Sequence, residues 1–309
     1  MITTVTMNPC IDWGVSLSSV VCGQLNLVDT TRTDVSGKGI NVALVLRELG
    51  LEPLCTGLNF TGNGSMLEDR LQAAAIPGDF LMVPGNIRTN IKVTDTSKKE
   101  MTELNSRGEP VDRAYLKPFL EKLRRLAASS EIVTISGRLP NGWADDTYRQ
   151  MIEALTDLSV KVVLDADKEP LRLAIQARPY LIKPNTYELE TTFGTPIRGK
   201  QDIVEVCRRI IAEGVSIVCV SMGGEGAMIV DAAQAWYAPV LPIVPRGFPG
   251  AGDSMVAGLV RAMHDDCEPE EMLRHGMAAS AASIIREGTL LCQRADYDRF
   301  LGQVRLERV

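Results

Sequence analysis

Short, β-branched apolar runs alternate with segments of helical period along most of this chain, and that alternation constrains its fold more than any other feature. The runs fall at residues 2–6, 53–57, 132–135, 160–165, 180–183 and 217–221. Most are apolar almost throughout, as strands buried on both faces are. Between them, apolar residues recur at helical spacing over 41–49, 66–74, 113–127, 145–155 and 202–212, and each segment ends near Gly, Pro or a polar cluster. Repeated strand–helix units predict an α/β fold: a mostly parallel sheet with helices on both faces. From about residue 250 to residue 287 the chain reads as helical and rich in small residues.

Two stretches break the rhythm. Residues 12–35 are polar and rich in Thr and Ser. Residues 88–105 alternate through Asn90, Ile91, Lys92, Val93 and Thr94, turn at Ser97, Lys98 and Lys99, and resume at Met101, which is a hairpin pattern. Two such insertions would build either a small β lid over the core or an antiparallel extension of the main sheet's edge.

Composition serves here to exclude. A chain of 309 residues, 45% hydrophobic and 23% charged, can bury a large core and has little need of long disorder. We expect a single domain over 1–309. The net charge is −6, and the basic cluster from Lys122 to Arg125 lies in a helical pattern as a solvated face, so no nucleic-acid partner is expected. The seven cysteines form no C-x-x-C, which argues against a zinc ribbon or a disulfide framework and points to a reducing cytoplasm. The first residues lack a basic start and a long apolar run, and no stretch approaches a membrane-spanning length, so no membrane partner is expected.

The glycine clusters carry the chemistry, and they differ. G-x-G-x-x-G fails at Gly37-Lys38-Gly39, where Val42 takes the third glycine's place, and at Gly250-Ala251-Gly252, where Met255 does. Gly194, Gly199 and Lys200 approach a P-loop, but Gln201 replaces the hydroxyl that would hold Mg²⁺, and the segment reads as a surface turn. Gly250, Ala251 and Gly252 precede an amphipathic helix, so their N–H groups can meet an anion, and Asp253 follows beside them. Asp253 there is either a helix cap or a base for an attacking hydroxyl in phosphoryl transfer. Gly37-Lys38-Gly39-Ile40-Asn41 also enters a helix: a tight turn with a solvated lysine, or a loop whose Lys38 meets a phosphate and whose Asn41 binds hydroxyls. Ser221-Met222-Gly223-Gly224-Glu225-Gly226 follows a strand as a flexible hairpin or a backbone slot beside a nucleotide. Asn185 and Glu188, three apart, make a capping box or orient waters on Mg²⁺. Only His264 and His275 are present, without G-x-S-x-G or H-E-x-x-H, which disfavours hydrolase or zinc chemistry.

Taken in order, these segments resemble the ribokinase/PfkB carbohydrate-kinase family, and within it the 1-phosphofructokinase and tagatose-6-phosphate kinase branch. The resemblance runs from Met7-Asn8-Pro9-Cys10-Ile11-Asp12 through Gly37–Ala43, Arg88-Thr89-Asn90-Ile91-Lys92 and Thr102-Glu103-Leu104-Asn105. It continues through Ser136-Gly137-Arg138-Leu139-Pro140, Lys183-Pro184-Asn185 and Val220-Ser221-Met222-Gly223 to Gly250-Ala251-Gly252-Asp253-Ser254. It implies a ribokinase-like fold with a lid at about 12–35 and 88–105, whose sheet pairs two subunits in many members. Activity is implied as ATP-dependent phosphorylation of a ketohexose monophosphate, with Mg²⁺. Fructose 1-phosphate is the favoured acceptor, tagatose 6-phosphate and fructose 6-phosphate are alternatives, and a sugar-phosphate sensor without turnover is the reading from another class.

Residue by residue, the resemblance makes Asp253 the base and the amides of Gly250, Ala251 and Gly252 the anion hole. Asp12, Gly37, Lys38 and Asn41 would bind the sugar, and Arg88, with Lys38 near, its phosphate; Arg138 joins this set. Lys183, Asn185, Ser221, Gly223, Gly226, Ala279 and Ser283 would line the nucleotide, with Asn185 and Glu188 reaching Mg²⁺ through water. The chain departs from the family pattern at Ser36-Gly37 for a double glycine, at Arg138 for a common Ser, at Asp165-Ala166-Asp167-Lys168, and at Phe248-Pro249 before the anion hole.

Overall fold

A computed structural model describes residues 1–286 and 290–309; residue 287, at the end of the expected helical stretch, lies outside the described residues. In chain order the first strands are β1 (Ile2–Thr6), β2 (Cys10–Leu17), β3 (Thr30–Ser36), β4 (Pro53–Phe60), β5 (Gly78–Val83), β6 (Arg88–Asp95) and β7 (Glu100–Leu104). Then come β8 (Ile132–Ser136), β9 (Lys161–Asp165), β10 (Leu181–Ile182), β11 (Ile217–Ser221), β12 (Ala227–Val230), β13 (Ala235–Ala238) and β14 (Glu307–Arg308). The helices are α1 (Lys38–Glu48), α2 (Ser65–Ala73), α3 (Leu116–Ala127), α4 (Thr147–Glu153) and α5 (Lys168–Ala174). They continue as α6 (Thr186–Phe193), α7 (Lys200–Ala212), α8 (Ala251–His264), α9 (Pro269–Ile284) and α10 (Arg294–Leu301).

Ten strands form the main sheet in the order β14-β13-β12-β11-β10-β9-β8-β1-β4-β5. From β11 to β5 every pairing is parallel; β12, β13 and β14 extend one edge antiparallel. Successive side chains along a strand point to opposite faces, and the two cores divide accordingly. Val162 and Leu164 of β9 face the core packed by α2, α3, α4, α5 and α7, while Val163 faces the core built from α1, α8, α9 and α10. Val218 and Val220 of β11 join the first core, and Ile217 and Cys219 the second. Burial on both faces is why these strands read as unbroken apolar runs.

The two stretches that broke the rhythm form a second sheet, ordered β3-β2-β6-β7, separate from the first. An extension of the main sheet's edge by these residues is therefore overturned; β12 to β14 extend that edge instead. The expected hairpin is β6 and β7, paired Ile91 to Leu104 through Asp95 to Glu100. The polar stretch yields β2 and β3, and β2 runs parallel to β6 with Cys10 opposite Arg88 and Asp12 opposite Asn90. No helix among the described residues is long and apolar enough to cross a membrane. All seven cysteines are free.

Candidate active site

Parallel sheets of this kind gather functional groups at the carboxyl ends of their strands. Here those ends supply Thr6 closing β1, Ser136 closing β8 with Gly137 next, Asp165 at the end of β9, Lys183 just past β10 and Ser221 closing β11. Two helices start against the same rim. α1 presses so closely on β1 that a Cβ on Gly39 would lie 2.4 Å from the Val5 carbonyl oxygen. α8 begins at Gly250, whose φ of 79° and ψ of −4° lie in the left-handed region.

The unusual Phe248-Pro249 pair has a simple geometry. Ala251 N–H donates to Phe248 O at 3.2 Å, with Pro249 and Gly250 between them. Pro at the second position and a left-handed Gly at the third are what a type II turn requires. The proline thus sets the turn that delivers the chain into α8. That turn engages the Ala251 N–H, whereas the amides of Gly250 and Gly252 have no such turn bond among the described residues.

Asp253 lies in the first turn of α8, yet it makes no side-chain cap, so the helix-cap reading fails. Its Oδ2 instead accepts from Asn41 Nδ2 at 2.7 Å, and the residue is 7% exposed. Burial pushes its carboxyl above the ordinary aspartate range. Lys38 opposes that, Asp165 adds to it, and the Asn41 bond and Lys183 pull it part of the way back. A buried carboxylate with a raised proton affinity suits a group that accepts a proton during reaction.

Asp253 opens on a cavity of about 270 Å³. Asp12, Gly37, Lys38, Asn41, Arg88 and Arg138, all expected to bind sugar, line it. The second sheet forms the opposite wall. Arg88, Asn90 and Lys92 alternate along β6, so all three reach one face, and Asp12 of β2 accepts from Asn90 at 2.9 Å and Lys92 at 3.1 Å. Lys92 is thereby neutralised. Among the described residues Arg88 bonds only neutral oxygens, Asn90 Oδ1 and Ser106 O, each at 2.8 Å. Its Nε and the Ser136 Oγ are buried without a partner among the described residues. Unmet buried donors beside a cavity are an invitation to anionic oxygens. Cys10 also lines the cavity, but burial, with Asp12 next, pushes its thiol up to about 12, so it is not poised as a nucleophile.

Lys183 also reaches the start of α8, where a Cβ on Gly252 would sit 3.6 Å from its Nζ. Asn185 and Ser221 form an isolated parallel bridge between the neighbouring strand ends. Gly223 opens a 3₁₀ turn (Gly223–Glu225) between β11 and β12, and Gly226 closes it, which realises the hairpin reading of this loop. Asn185 and Glu188 form a complete capping box: Glu188 N–H donates to Asn185 Oδ1 and Asn185 N–H to Glu188 Oε2, both at 2.8 Å. Ser283 has a buried Oγ without a partner among the described residues, and a Cβ on Gly250 would lie 3.9 Å from it. Ala279 sits elsewhere. It is 0% exposed within the core of α8 and α9, where the small residues of α9 serve close helix packing.

Three residues of the site escaped the sequence reading. Asp165 joins Lys38 and Lys183, and Asn90 and Lys92 hold Asp12. A carboxylate ending an otherwise apolar strand, and three polar residues at period two in 88–92, were the signals for them.

A mostly parallel sheet that presents a buried aspartate at an amide-rich helix start, beside a cavity walled by cations from a second sheet, defines a sugar kinase of ribokinase type. The chain belongs to the pfkB family of carbohydrate kinases, whose model matches residues 6–296. It is 30% identical over 312 residues to a 1-phosphofructokinase of Borreliella burgdorferi, covering 100% of this chain and 99% of that one. It is 33% identical over 282 residues to a 1-phosphofructokinase of Xanthomonas campestris pv. campestris, covering 90% and 89%. Phosphofructokinase-2 from Escherichia coli, solved in complex with potassium, superposes with a TM-score of 0.93 over 98% of each chain at 25% identity.

Proposed function

We propose that the chain transfers the γ-phosphoryl group of ATP to fructose 1-phosphate, giving fructose 1,6-bisphosphate. The observation that carries this is Asp253, held by Asn41 between an amide-lined helix start and a cavity with unpaired donors on its far wall. Relatives named 1-phosphofructokinase, matched along nearly the whole chain, support the choice of acceptor. In this reading Arg88 and Arg138 take the phosphate already on the sugar, by charge-assisted bonds that suit guanidinium. Asp12, Gly37 and Asn41 hold its hydroxyls. The acceptor hydroxyl, at the end of the ketose remote from that phosphate, meets Asp253, which accepts its proton as the new P–O bond forms. The Gly250 and Gly252 amides stabilise the negative charge on the group in transfer.

The nucleotide would lie along Lys183, Asn185, Ser221, Gly223, Gly226 and Ser283. The donor set fits a Mg²⁺ ion carried by ATP rather than a resident one. No group of three or more metal-ligating side chains occurs among the described residues. The capping box uses Asn185 Oδ1 and Glu188 Oε2, leaving Glu188 its other carboxylate oxygen. Mg²⁺ keeps most of its waters beside phosphates, so contact through water is what these residues can supply. Mg²⁺ when bound neutralises phosphate charge.

The four-stranded sheet acts in this reading as a lid on residues 1–309 working as one kinase domain. Closing it keeps water from the phosphoryl group. Trp13, Met101 and Leu104 are exposed on it, and a second copy of the chain would cover them in a homodimer. The free cysteines fit a cytoplasmic setting. The test is a coupled assay of ADP release with a panel of ketohexose phosphates. Fructose 1-phosphate should show the highest kcat/KM; equal or better turnover of fructose 6-phosphate or tagatose 6-phosphate would overturn the acceptor.

A further inference from the structure

Asp165 is the hub of the charged network beneath Asp253. Its Oδ2 lies 3.1 Å from Lys38 Nζ and its Oδ1 3.4 Å from Lys183 Nζ. The carboxylate side chain is 2% exposed and that of Lys183 5%, whereas that of Lys38 is 40% exposed, toward the sugar cavity. Lys38 lines that cavity together with Arg88 and Arg138. Lys183 stands at the start of α8, where a Cβ on Gly252 would lie 3.6 Å from its Nζ, and it is absent from the lining of that cavity. One buried carboxylate therefore holds one lysine from each substrate's side.

We infer that Asp165 is a positioning residue that couples the two substrate sites by sharing its single charge between Lys38 and Lys183. The inference rests on the kinase reading above, in which Lys38 faces the sugar phosphate and Lys183 the nucleotide. A lysine carries a compact charge on a flexible stem, so its position depends on what anchors it. The pair of ammonium groups with one carboxylate has a net charge of +1. Each lysine is thus only partly neutralised and keeps attraction for a phosphate. When one lysine is lost, the whole carboxylate charge falls to the other and draws it away from its own anion. Directions of proton affinity agree with the geometry. Burial raises that of Asp165, but Lys183 and Lys38 outweigh it and hold the carboxyl below its ordinary range. Burial lowers that of Lys38, and Asp165, Asp253 and Glu188 more than restore it.

The sharing makes a prediction that a purely structural aspartate does not. Lys38→Met, on the sugar side, should weaken ATP binding, measured by calorimetry without any sugar, by about fivefold or more, within the usual range of coupling between sites. Reciprocally, Lys183→Met should weaken fructose 1-phosphate binding in the absence of nucleotide. In the near-isosteric Asp165→Asn background no carboxylate remains to be reassigned, and Lys38→Met should leave ATP affinity within about twofold. The inference is overturned if Lys38→Met leaves ATP binding unchanged, or if it weakens ATP binding equally in both backgrounds, as a direct charge effect would. Should Asp165→Asn fail to fold, the two single lysine variants still decide: weaker ATP binding in Lys38→Met together with weaker fructose 1-phosphate binding in Lys183→Met supports the sharing, and the absence of either cross-effect overturns it. Should wild-type protein prefer another sugar phosphate, the acceptor assignment fails while the ATP arm still reads Asp165.

Discussion

Asn41 Nδ2 donates to Asp253 Oδ2 at 2.7 Å across 212 residues of sequence, and this bond ties the first turn of α1 to the first turn of α8. Ser36 Oγ lies 3.3 Å from the same amide nitrogen. The aspartate is thus aimed from α1, not from its own helix. Asn41→Ala should lower kcat about tenfold, the scale of a lost hydrogen bond to a charged group. The pH profile gives a second check. The Asn41 bond favours the ionised carboxylate, so losing it raises the Asp253 pKa above its already raised value. The acid limb of kcat/KM, where the base becomes protonated, should therefore move to higher pH. An unshifted limb would mean that Asn41 binds sugar without tuning Asp253.

Arg88 offers a donor with no ion-pair partner among the described residues. Its bonds go to Asn90 Oδ1 and Ser106 O, and its Nε has no partner among the described residues. Arg88→Gln removes the charge and keeps much of the reach. We expect KM for the sugar phosphate to rise about 10–100-fold, as charge-assisted bonds of roughly 1.5–3 kcal/mol predict, with kcat changing far less. KM for ATP should stay within a few-fold. A fall in kcat at unchanged KM would place Arg88 at the transferred group instead.

Gly250 holds a conformation that side chains resist. Its φ is 79°, and an added Cβ would lie 2.4 Å from Leu291 Cδ2. A left-handed non-glycine residue costs about 1–2 kcal/mol. Gly250→Ala should therefore cost modest stability but tilt the turn that aims the Gly250 and Gly252 amides. The expected result is a loss in kcat larger than the loss in stability, read by steady-state kinetics beside denaturant melts. Equal losses would argue that the turn matters only to folding.

Asp95 closes the second sheet and gives it an acid limit. It accepts from Val20 N–H, Ser97 Oγ and Lys98 N–H. Those bonds, Val20's first, lower its pKa from 3.8 to about 2. A carboxylate with a depressed folded pKa stabilises the fold fully above its unfolded value and loses that contribution as pH falls through the folded one. Hydrogen exchange at the Val20 and Lys98 amides should accelerate between about pH 4 and pH 2, ahead of the core strands. In Asp95→Asn the acceleration should already be present at neutral pH. Exchange that tracks global unfolding at every pH would contradict this.

The main sheet was legible because its physics is local. Strands such as β9 and β11 are apolar on both faces, and their helices carry period and stops within a few residues. The edge strands β12, β13 and β14 are only four, four and two residues long, too short to announce more than a turn. The pairing of β2 with β6 joins positions 78 residues apart, and nothing local in a polar, Thr-rich stretch specifies it. Gly37, Lys38, Asn41 and Arg138, which line the cavity, stood out in or beside glycine-marked loops, whereas Asp12 and Arg88 on β2 and β6 were picked out only by the family resemblance. Asp165 was not legible, since its meaning depends on Lys38, 127 residues away. The small residues around Ala279 were ambiguous for a related reason: such a run on a helix looks the same whether it packs against a ligand or against α8.

The base assignment of Asp253 is tested most directly by rapid-quench transfer of the γ-phosphoryl group in Asp253→Asn, with both substrates bound. The amide keeps the size and can still accept from Asn41, but it cannot take a proton. The rate of transfer should fall about 10²–10⁴-fold, the usual contribution of a positioned base, while ATP and fructose 1-phosphate bind within a few-fold of wild type. Transfer within about tenfold of the wild-type rate, under conditions where both substrates are bound, would contradict it.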